Sequence, residues 1–382
     1  MIDGNHSEMS IEFEDNPDES AEVVQLPAEI VSLCSLSPTK VVAGCMDDSA
    51  YVCHVDDEYK LQIVATLSGH SDTVVSVQKN PVYEVFATGS YDCTVRVYSA
   101  ETLHLVCVLE GPSSEIEFIR FDDSGERLLA GCVDGAAWLW HLSFSGNSDF
   151  AIVKQSVLTG HTDAVTNGVF IAYGKKALTI ALDGCAIIWD LDTSKTIHRI
   201  RAPGHSPMVS LAQGRQSGTI MIGCDSGMLI ALAIESGKIV NQVQVGDNSI
   251  ECMAFDTKGN FLATGSTDGF LVIKENSRLF ASQVRHRIQL GAGIAALAWH
   301  EMENLVFVTT TNGEFAVFCP LTGATVLKLQ GGTEPLLALS LGKLPNGQAA
   351  VFVGGDDACL RMFALQLEED DAEDDLAKPA VP

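Results

Sequence analysis

One short pattern recurs eight times along this chain, and it constrains the fold more than any other feature. Each copy has a run of apolar and β-branched residues, then a tight polar turn, then alternating apolar residues. The turn is clearest in residues 89–92, 131–134 and 265–268. Successive copies of its last position lie 42 to 49 residues apart: Asp47, Asp92, Asp134, Asp183, Ser226, Asp268, Asn312 and Asp357.

A repeat of roughly 40 to 45 residues with four strands is typical of one blade of a WD-type β-propeller. The chain is 46% apolar and shows no long helical pattern, which favours an all-β fold. We therefore predict an eight-bladed WD40 β-propeller in residues 21–367. It lies between two acidic, disordered tails, residues 1–20 and 368–382.

The two ends of the repeat array predict how the propeller closes. Residues 21–26 have the composition of a strand and precede the first full repeat, while the last repeat is one strand short. We expect this N-terminal strand to complete blade eight beside residues 359–365, because closure removes the free sheet edges. In the third repeat, the Ser/Gly/Asn-rich residues 143–149 predict a loop.

The second constraint is charge, because the formal net charge is −27. Residues 1–23 hold eight carboxylates and no Lys or Arg, and residues 368–375 hold seven more carboxylates. The remaining propeller is still acidic. Binding to nucleic-acid phosphates needs clustered Lys and Arg, so we expect no direct nucleic-acid partner. A basic protein or peptide is the expected partner.

The cysteines indicate the compartment. Eleven occur, without a C-x-x-C pair or a Cys/His cluster at zinc spacing. Free thiols within strands act as small apolar groups, which favours a reducing environment. The N-terminus lacks the features of a secretory signal, and no apolar stretch reaches the roughly 20 residues of a membrane span. We expect a soluble monomer without membrane contacts, in the cytoplasm, with the nucleus as an additional location.

Histidine, hydroxyl and carboxylate groups recur at one place in the repeat. In the second repeat, His70, Ser90 and Asp92 resemble a Ser-His-Asp triad. Because similar sets return at the repeat period, a buried structural hydrogen-bond network explains them better than catalysis. We assign six residues to such networks: His70, Ser90, Asp92, His161, Asp183 and Trp189.

Other signs of catalysis or metal binding are weak. The chain has no G-x-S-x-G elbow, P-loop or H-E-x-x-H motif. The neighbouring acids Asp356 and Asp357 are more typical of a solvated turn than of a cation site. We expect no enzymatic activity, no cofactor and no metal.

Acids of the propeller gather at positions that line one face around the central channel. These positions are the loop into each inner strand, the first residues of that strand, and the turn before the third strand. They hold Glu29, Asp72, Glu115, Glu117, Asp163, Asp225, Glu251, Glu334 and Asp356. Glu117 and Glu251 occupy matching positions. Such acids could form a solvated rim, or a carboxylate-lined pocket for Arg and Lys side chains.

Four stretches resemble a known WD-repeat family: residues 114–119, 128–140, 248–251 and 295–299. The family is that of the angio-associated migratory cell protein, and the resemblance covers about residues 22–363. Its fungal relatives are dedicated chaperones of a large-subunit ribosomal protein of the universal L-sixteen family. The resemblance implies an assembly factor that captures the basic N-terminal segment of its client. Such a factor keeps the client soluble and delivers it to the pre-60S particle in the cytoplasm.

Two other functions compete with a ribosomal-protein chaperone. A general WD40 scaffold, for signalling, migration or ubiquitin ligation, needs an interaction surface but no acidic channel mouth. A histone-binding propeller would also need acids. Binding through paired charges should weaken with salt, whereas binding through an apolar patch should respond little.

Overall fold

The computed structural model describes residues 21–145, 149–214, 218–275, 284–300 and 304–365. Within these ranges, 32 strands form eight four-stranded antiparallel sheets, which are the blades of one propeller. The predicted all-β, eight-bladed WD40 fold is therefore confirmed. Both predicted tails, and residues 366–367 of the predicted propeller, lie outside the described residues.

Each blade has an inner, a second, a third and an outer strand, in that order. Blades one to four contain Ile30–Ser37, Lys40–Cys45, Ala50–Val55 and Leu61–Leu67; Val74–Lys79, Val85–Ser90, Val95–Ser99 and Leu105–Leu109; Ile116–Phe121, Arg127–Cys132, Ala136–Ser145 and Asp149–Thr159; and Val165–Ile171, Lys176–Ala181, Cys185–Asp190 and Lys195–Arg201. Blades five to seven contain Met208–Gln213, Thr219–Cys224, Met228–Ala233 and Lys238–Gln244; Ile250–Phe255, Phe261–Ser266, Phe270–Glu275 and Val284–Gln289; and Ile294–Trp299, Val306–Thr310, Glu314–Phe318 and Thr325–Gln330. Blade eight contains Leu336–Lys343, Ala349–Gly355, Cys359–Ala364 and the N-terminal Ala21–Gln25, and a 3-10 turn, Pro203–His205, precedes blade five.

The ring closes as the sequence predicts. Ala21–Gln25 runs antiparallel to Cys359–Ala364, with Ala21 opposite Phe363 and Gln25 opposite Cys359. The inner strands of blades eight and one also contact each other, as all neighbouring inner strands do. The N-terminal strand therefore covers an edge that would otherwise present unpaired backbone groups.

The strands differ in burial because each blade packs between two neighbours. The second strand Val85–Ser90 is buried along its whole length, so both of its faces must be apolar or hydrogen-bonded. The outer strand Lys238–Gln244 alternates between exposed and half-buried residues. The apolar core is accordingly a series of clusters between blades, and burial against both neighbours holds each blade in place.

Serine side chains add polar links between neighbouring inner strands. Ser32 of blade one accepts a hydrogen bond from the Val77 amide of blade two at 3.0 Å. Ser340 of blade eight accepts one from the Ser35 amide of blade one, also at 3.0 Å. The second bond joins the inner strand of blade eight to that of blade one, so it stabilises the closed ring.

The loop predicted for residues 143–149 is wrong at residues 143–145 and 149, and residues 146–148 lie outside the described residues. The third strand of blade three continues to Ser145, and the outer strand begins at Asp149. Aromatic packing accounts for the extension: the Phe144 ring stacks on Tyr83 with centroids 4.2 Å apart and meets the edge of Phe150 at 5.3 Å. Tertiary contacts thus override the turn-forming composition.

Candidate functional site

In every blade, the loop into the inner strand and the turn after the second strand lie at the same end, which we call the upper face. The remaining two turns lie at the lower face. A backbone bond joins the two upper segments in each blade; in blade two the Tyr91 amide donates to the Thr73 carbonyl at 3.1 Å. The eight equivalent donors are the rim residues: Met46, Tyr91, Val133, Leu182, Asp225, Thr267, Thr311 and Asp356.

A β-bulge recurs at the second residue of every inner strand. In blade three, Ile116 pairs with Cys132 and Phe118 with Gly131, which leaves Glu117 without a partner in the ladder. A bulge kinks the strand and re-aims the extra side chain. The bulge residues are Val31, Val75, Glu117, Thr166, Val209, Glu251, Ala295 and Leu337. Glu117 and Glu251 therefore occupy equivalent positions.

Three of the predicted acids come together at blades two and three: Asp72, Glu115 and Glu117, which we call the blade 2–3 cluster. Burial raises the pKa of the half-buried Glu117 carboxyl, and the charge of Glu115 raises it further. Burial and then the three carboxylates also raise the pKa of Tyr91, which lies among them. The exposed Glu115 accepts a hydrogen bond from Ser114 at 2.7 Å, which lowers its own pKa.

Three more of the predicted acids come together where blade eight meets blade one: Glu29, Glu334 and Asp356, which we call the blade 8–1 cluster. Burial raises the pKa of Asp356, and the charges of Glu29, Glu334 and Asp357 add to the effect. One carboxylate oxygen of Asp356, Oδ1, is buried without a hydrogen-bond partner in the described part of the chain. A cation at this place would relieve both the repulsion and the missing bond.

The other three predicted acids stand apart from these clusters. Asp163, Asp225 and Glu251 are exposed, in blades four, five and six. The Asp163 carboxylate accepts the Ala164 amide at 2.8 Å, as Asp72 accepts the Thr73 amide at 2.7 Å. Such bonds orient the carboxylates on the loops but leave oxygen lone pairs for a ligand.

Basic side chains are distributed unequally between the two faces. Three arginines near the upper face are engaged with their own blades: Arg96 donates to the Gly69 carbonyl, Arg199 to the Gly160 carbonyl and Arg361 to the Gly331 carbonyl. Lysines adjoin the turns of the lower face: Lys40, Lys60, Lys175, Lys176, Lys195, Lys238 and Lys258. The upper face is therefore the more acidic of the two.

The predicted histidine networks lie beneath the upper face. In blade four, Trp189 Nε1 donates to Thr179 Oγ1 at 2.8 Å, and Thr179 Oγ1 bonds His161 Nε2 at 2.8 Å. His161 Nδ1 in turn lies 3.2 Å from Asp183 Oδ1. Burial lowers the pKa of His161, so the ring is neutral and links the hydroxyl to the carboxylate.

Blade two has the same arrangement with one correction to the predicted set. His70 Nδ1 meets Asp92 Oδ2 at 2.8 Å, but the hydroxyl on His70 Nε2 is that of Thr88, also at 2.8 Å. Ser90 instead accepts the Asp92 amide and donates to the Asp72 carbonyl. Thr88 and Ser90 point to the same face of the strand, but Ser90 is its last residue and bonds to the turn, so Thr88, two residues further in, is the hydroxyl that meets His70.

Blades five to eight replace the histidine network with a glutamine at the end of the outer strand. Gln244 Nε2 donates to the Ser226 carbonyl in the turn at 2.5 Å and to the Gly246 carbonyl in the next loop at 2.7 Å. The equivalent glutamines are Gln289, Gln330 and Gln25. In blades five to eight, the glutamine thus holds the upper turn in place without a His–Asp pair.

Sequence reasoning missed four apolar rim residues: Met46, Tyr91, Val133 and Leu182. They occupy the same turn position as Asp225 and Asp356, which were selected for their charge. Reading that position in every repeat, regardless of residue type, would have found them.

Over the described ranges, no group of three or more His, Cys, Asp and Glu side chains is arranged to hold a metal ion. In the same ranges, no helix has both the length and the apolar character needed to span a membrane.

Comparison with known families agrees with the repeat. The family described as WD domain, G-beta repeat, matches residues 61–99, 103–141 and 238–273. Each match begins at the outer strand of one blade and ends with the third strand of the next, as in Leu61–Leu67 followed by blade two. Each sequence repeat is therefore offset from its blade by one strand. The N-terminal strand shows the same offset, since it is the outer strand of blade eight and precedes blade one in the chain.

The predicted resemblance to the angio-associated migratory cell protein is confirmed. This chain is 26% identical to the Homo sapiens protein over 372 residues, which cover 92% of this chain and 81% of the relative. It is also 22% identical over 321 residues to a guanine nucleotide-binding protein subunit beta of Zea mays, covering 78% and 82% of the two chains.

Two solved structures share the fold. Saccharomyces cerevisiae Sqt1 superposes with a TM-score of 0.80 at 18% identity, covering 90% of this chain and 98% of Sqt1. Chaetomium thermophilum Sqt1, bound to the N-terminus of the ribosomal protein L10, superposes with a TM-score of 0.75 at 20% identity, covering 88% and 97%.

Proposed function

We propose that this eight-bladed WD40 propeller binds the basic N-terminal segment of a large-subunit ribosomal protein of the universal L-sixteen family on its acidic upper face. It acts as the dedicated chaperone of that client for 60S ribosome assembly. The chain has no catalytic role and works as a monomer in the cytoplasm, with the nucleus as an additional location.

The observation that carries this proposal is the pair of acidic clusters on one face. Folding brings Asp72, Glu115 and Glu117 together around Tyr91; burial raises the pKa of Glu117, and the charge of Glu115 raises it further. It also brings Asp356 beside Glu29, acids 327 residues apart in the sequence. Unpaired carboxylates that repel each other are costly for the folded chain, and Arg or Lys side chains of a partner would relieve that cost.

The relatives support the choice of partner. A fungal propeller of the same fold holds the N-terminus of the ribosomal protein L10. The similarity to the angio-associated migratory cell protein extends over 92% of this chain, so it spans the whole ring of blades that carries the acidic face. Among basic partners, a ribosomal N-terminal segment is therefore favoured over a histone tail or the ligands of a general scaffold.

A binding titration with the client's N-terminal peptide tests the proposal. Glu117→Gln and Asp356→Asn remove one charge from each cluster and nearly preserve side-chain volume. A hydrogen bond to a charged group contributes about 1.5–3 kcal/mol, so each variant should weaken binding by roughly 10- to 100-fold. Binding should also weaken as salt rises.

Matched controls lie on the lower face. Glu101 and Glu235 are exposed in turns of blades two and five, so Glu101→Gln and Glu235→Gln change the net charge equally without touching the clusters. If the controls weaken binding as much as the cluster variants, the effect is one of net charge and the site is elsewhere. Purification of the tagged chain at low salt should recover one basic large-subunit protein in equimolar amount; recovery of core histones or ligase subunits would contradict the choice of client.

A further inference from the structure

The rim residues divide the upper face into two halves. In blades one to four they are Met46, Tyr91, Val133 and Leu182, which we call the apolar arc. In blades five to eight they are Asp225, Thr267, Thr311 and Asp356. Met46, Val133 and Leu182 keep 46%, 39% and 38% of their surface exposed, although each is a large apolar side chain.

The fold itself does not require apolar residues at these positions. The amides of Thr267 and Thr311 make the same backbone bond, at 3.0 and 2.8 Å, as those of Val133 and Leu182, both at 3.0 Å. Polar residues therefore fasten the turn equally well in the other half of the same ring. Three exposed apolar residues and the half-buried Tyr91, in four consecutive blades at a position that tolerates threonine, point to a ligand rather than to stability.

The apolar arc lies among the acids of the blade 2–3 cluster. Tyr91 is half-buried, and Asp72, Glu115 and Glu117 are close enough to raise its pKa in addition to burial. Asp163 adds a further exposed carboxylate in blade four. A ligand on the arc must therefore offer apolar groups and positive charges within the same short segment.

We infer that the apolar arc binds apolar or aromatic side chains that are interspersed with Arg and Lys in the bound peptide. This inference rests on the proposed function and specifies the sequence that the face selects. An extended peptide rises only about 3.3 Å per residue, so a short segment can place Arg or Lys on the carboxylates and apolar side chains on the arc together. A peptide with basic residues and polar spacers would fill only the acidic part of the site.

Two synthetic peptides of equal length and equal Arg content test the inference, one with Ser spacers and one with Leu and Tyr spacers. The wild-type chain should bind the Leu/Tyr peptide at least about tenfold more tightly, because the arc's exposed surface becomes buried. The double variant Val133→Thr/Leu182→Thr introduces the residue that blades six and seven already use, so it should fold. It should lose most of this preference and still bind the Ser peptide as the wild type does. Thr267→Ser/Thr311→Ser, in the other half of the rim, should change neither affinity.

The outcomes separate this inference from the proposed function. If the wild type binds both peptides equally, or the arc variant weakens both equally, the arc has no apolar selectivity and the inference is overturned. If the wild type binds neither Arg peptide, the acidic face itself has failed. Analytical ultracentrifugation tests whether a second copy of the chain occupies the arc. Concentration-dependent self-association of the wild type that Val133→Thr/Leu182→Thr abolishes would show this and would also overturn the inference.

Discussion

Removing one hydroxyl from blade four should destabilise the chain about twice as much as removing its counterpart from blade two. Thr179 is fully buried and serves two partners, His161 Nε2 and Trp189 Nε1, both at 2.8 Å. Thr88 is equally buried but bonds only His70 Nε2, since Tyr98 replaces the tryptophan and its hydroxyl has no partner in the described part of the chain. Valine has nearly the shape of threonine, so each substitution removes hydrogen bonds and little else.

The magnitudes follow from the number of groups left without a partner. A buried polar group that loses its partner costs about 1–3 kcal/mol. Thr179→Val leaves two such groups and should cost about 4 kcal/mol, whereas Thr88→Val leaves one and should cost about 2 kcal/mol. The unfolding entropy of 382 residues is about 0.8 kcal/mol/K, so the Tm should fall by about 5 °C and about 2.5 °C respectively.

Scanning calorimetry of the two variants measures these shifts, and hydrogen exchange shows where they originate. The amides of blade four should lose protection in Thr179→Val, and those of blade two in Thr88→Val. Equal Tm shifts for the two variants would refute the bond count. A shift below about 1 °C for Thr179→Val would refute the view that the network stabilises the blade.

Three further predictions concern the acids, the closure and the thiols. Burial and the neighbouring carboxylates raise the pKa of Asp356 in the folded state, so its ionised form opposes folding at neutral pH. Asp356→Asn should raise the Tm at pH 7.5 by no more than about 1 °C, because solvent screens a partly exposed carboxylate. The gain should fade as pH falls through that raised pKa, where the wild-type carboxyl becomes protonated. A chain that begins at Pro27 lacks the outer strand of blade eight and exposes the edge of Cys359–Ala364, so light scattering should detect oligomers that the full chain does not form. Cys319 should react first with iodoacetamide at pH 7.5. Burial opposes ionisation of its thiol, but hydrogen bonds from Thr322 and Leu321 and the charge of Arg285 lower its pKa. Cys107 is similarly half-buried, and burial raises its pKa to about 12. Peptide mapping that finds Cys107 labelled as fast as Cys319 would contradict the last prediction.

Two features of the candidate site were visible in the sequence. The period placed Glu117 and Glu251 at equivalent positions, because each blade repeats the same strand order and the same bulge. The period also placed Asp225 and Asp356 in the turn after the second strand, which lies at the same upper face. Local periodicity is sufficient for such assignments, since they depend only on where a residue lies within its own repeat.

Other features depended on contacts that the period does not encode. Thr88 and Ser90 share one face of their strand, so the choice of Thr88 follows from how far along the strand the His70 ring packs. The extended hairpin of blade three follows from the stacking of Phe144 on Tyr83. The glutamines that fasten blades five to eight, such as Gln244, had no motif to mark them, because an amide side chain at a strand end is common. Packing against neighbours decided each of these.

The sequence by itself determined the number of blades, the N-terminal closure and the excess of negative charge, because all three are properties of repeat spacing and composition. Only the tertiary structure decided which carboxylates interact. Glu29 acts on Asp356 because the ring closes, and Asp72 and Glu117 both act on Tyr91 because neighbouring blades pack side by side. Electrostatic coupling depends on distance in space, and in a closed ring that distance is set by the packing of blades rather than by separation along the chain.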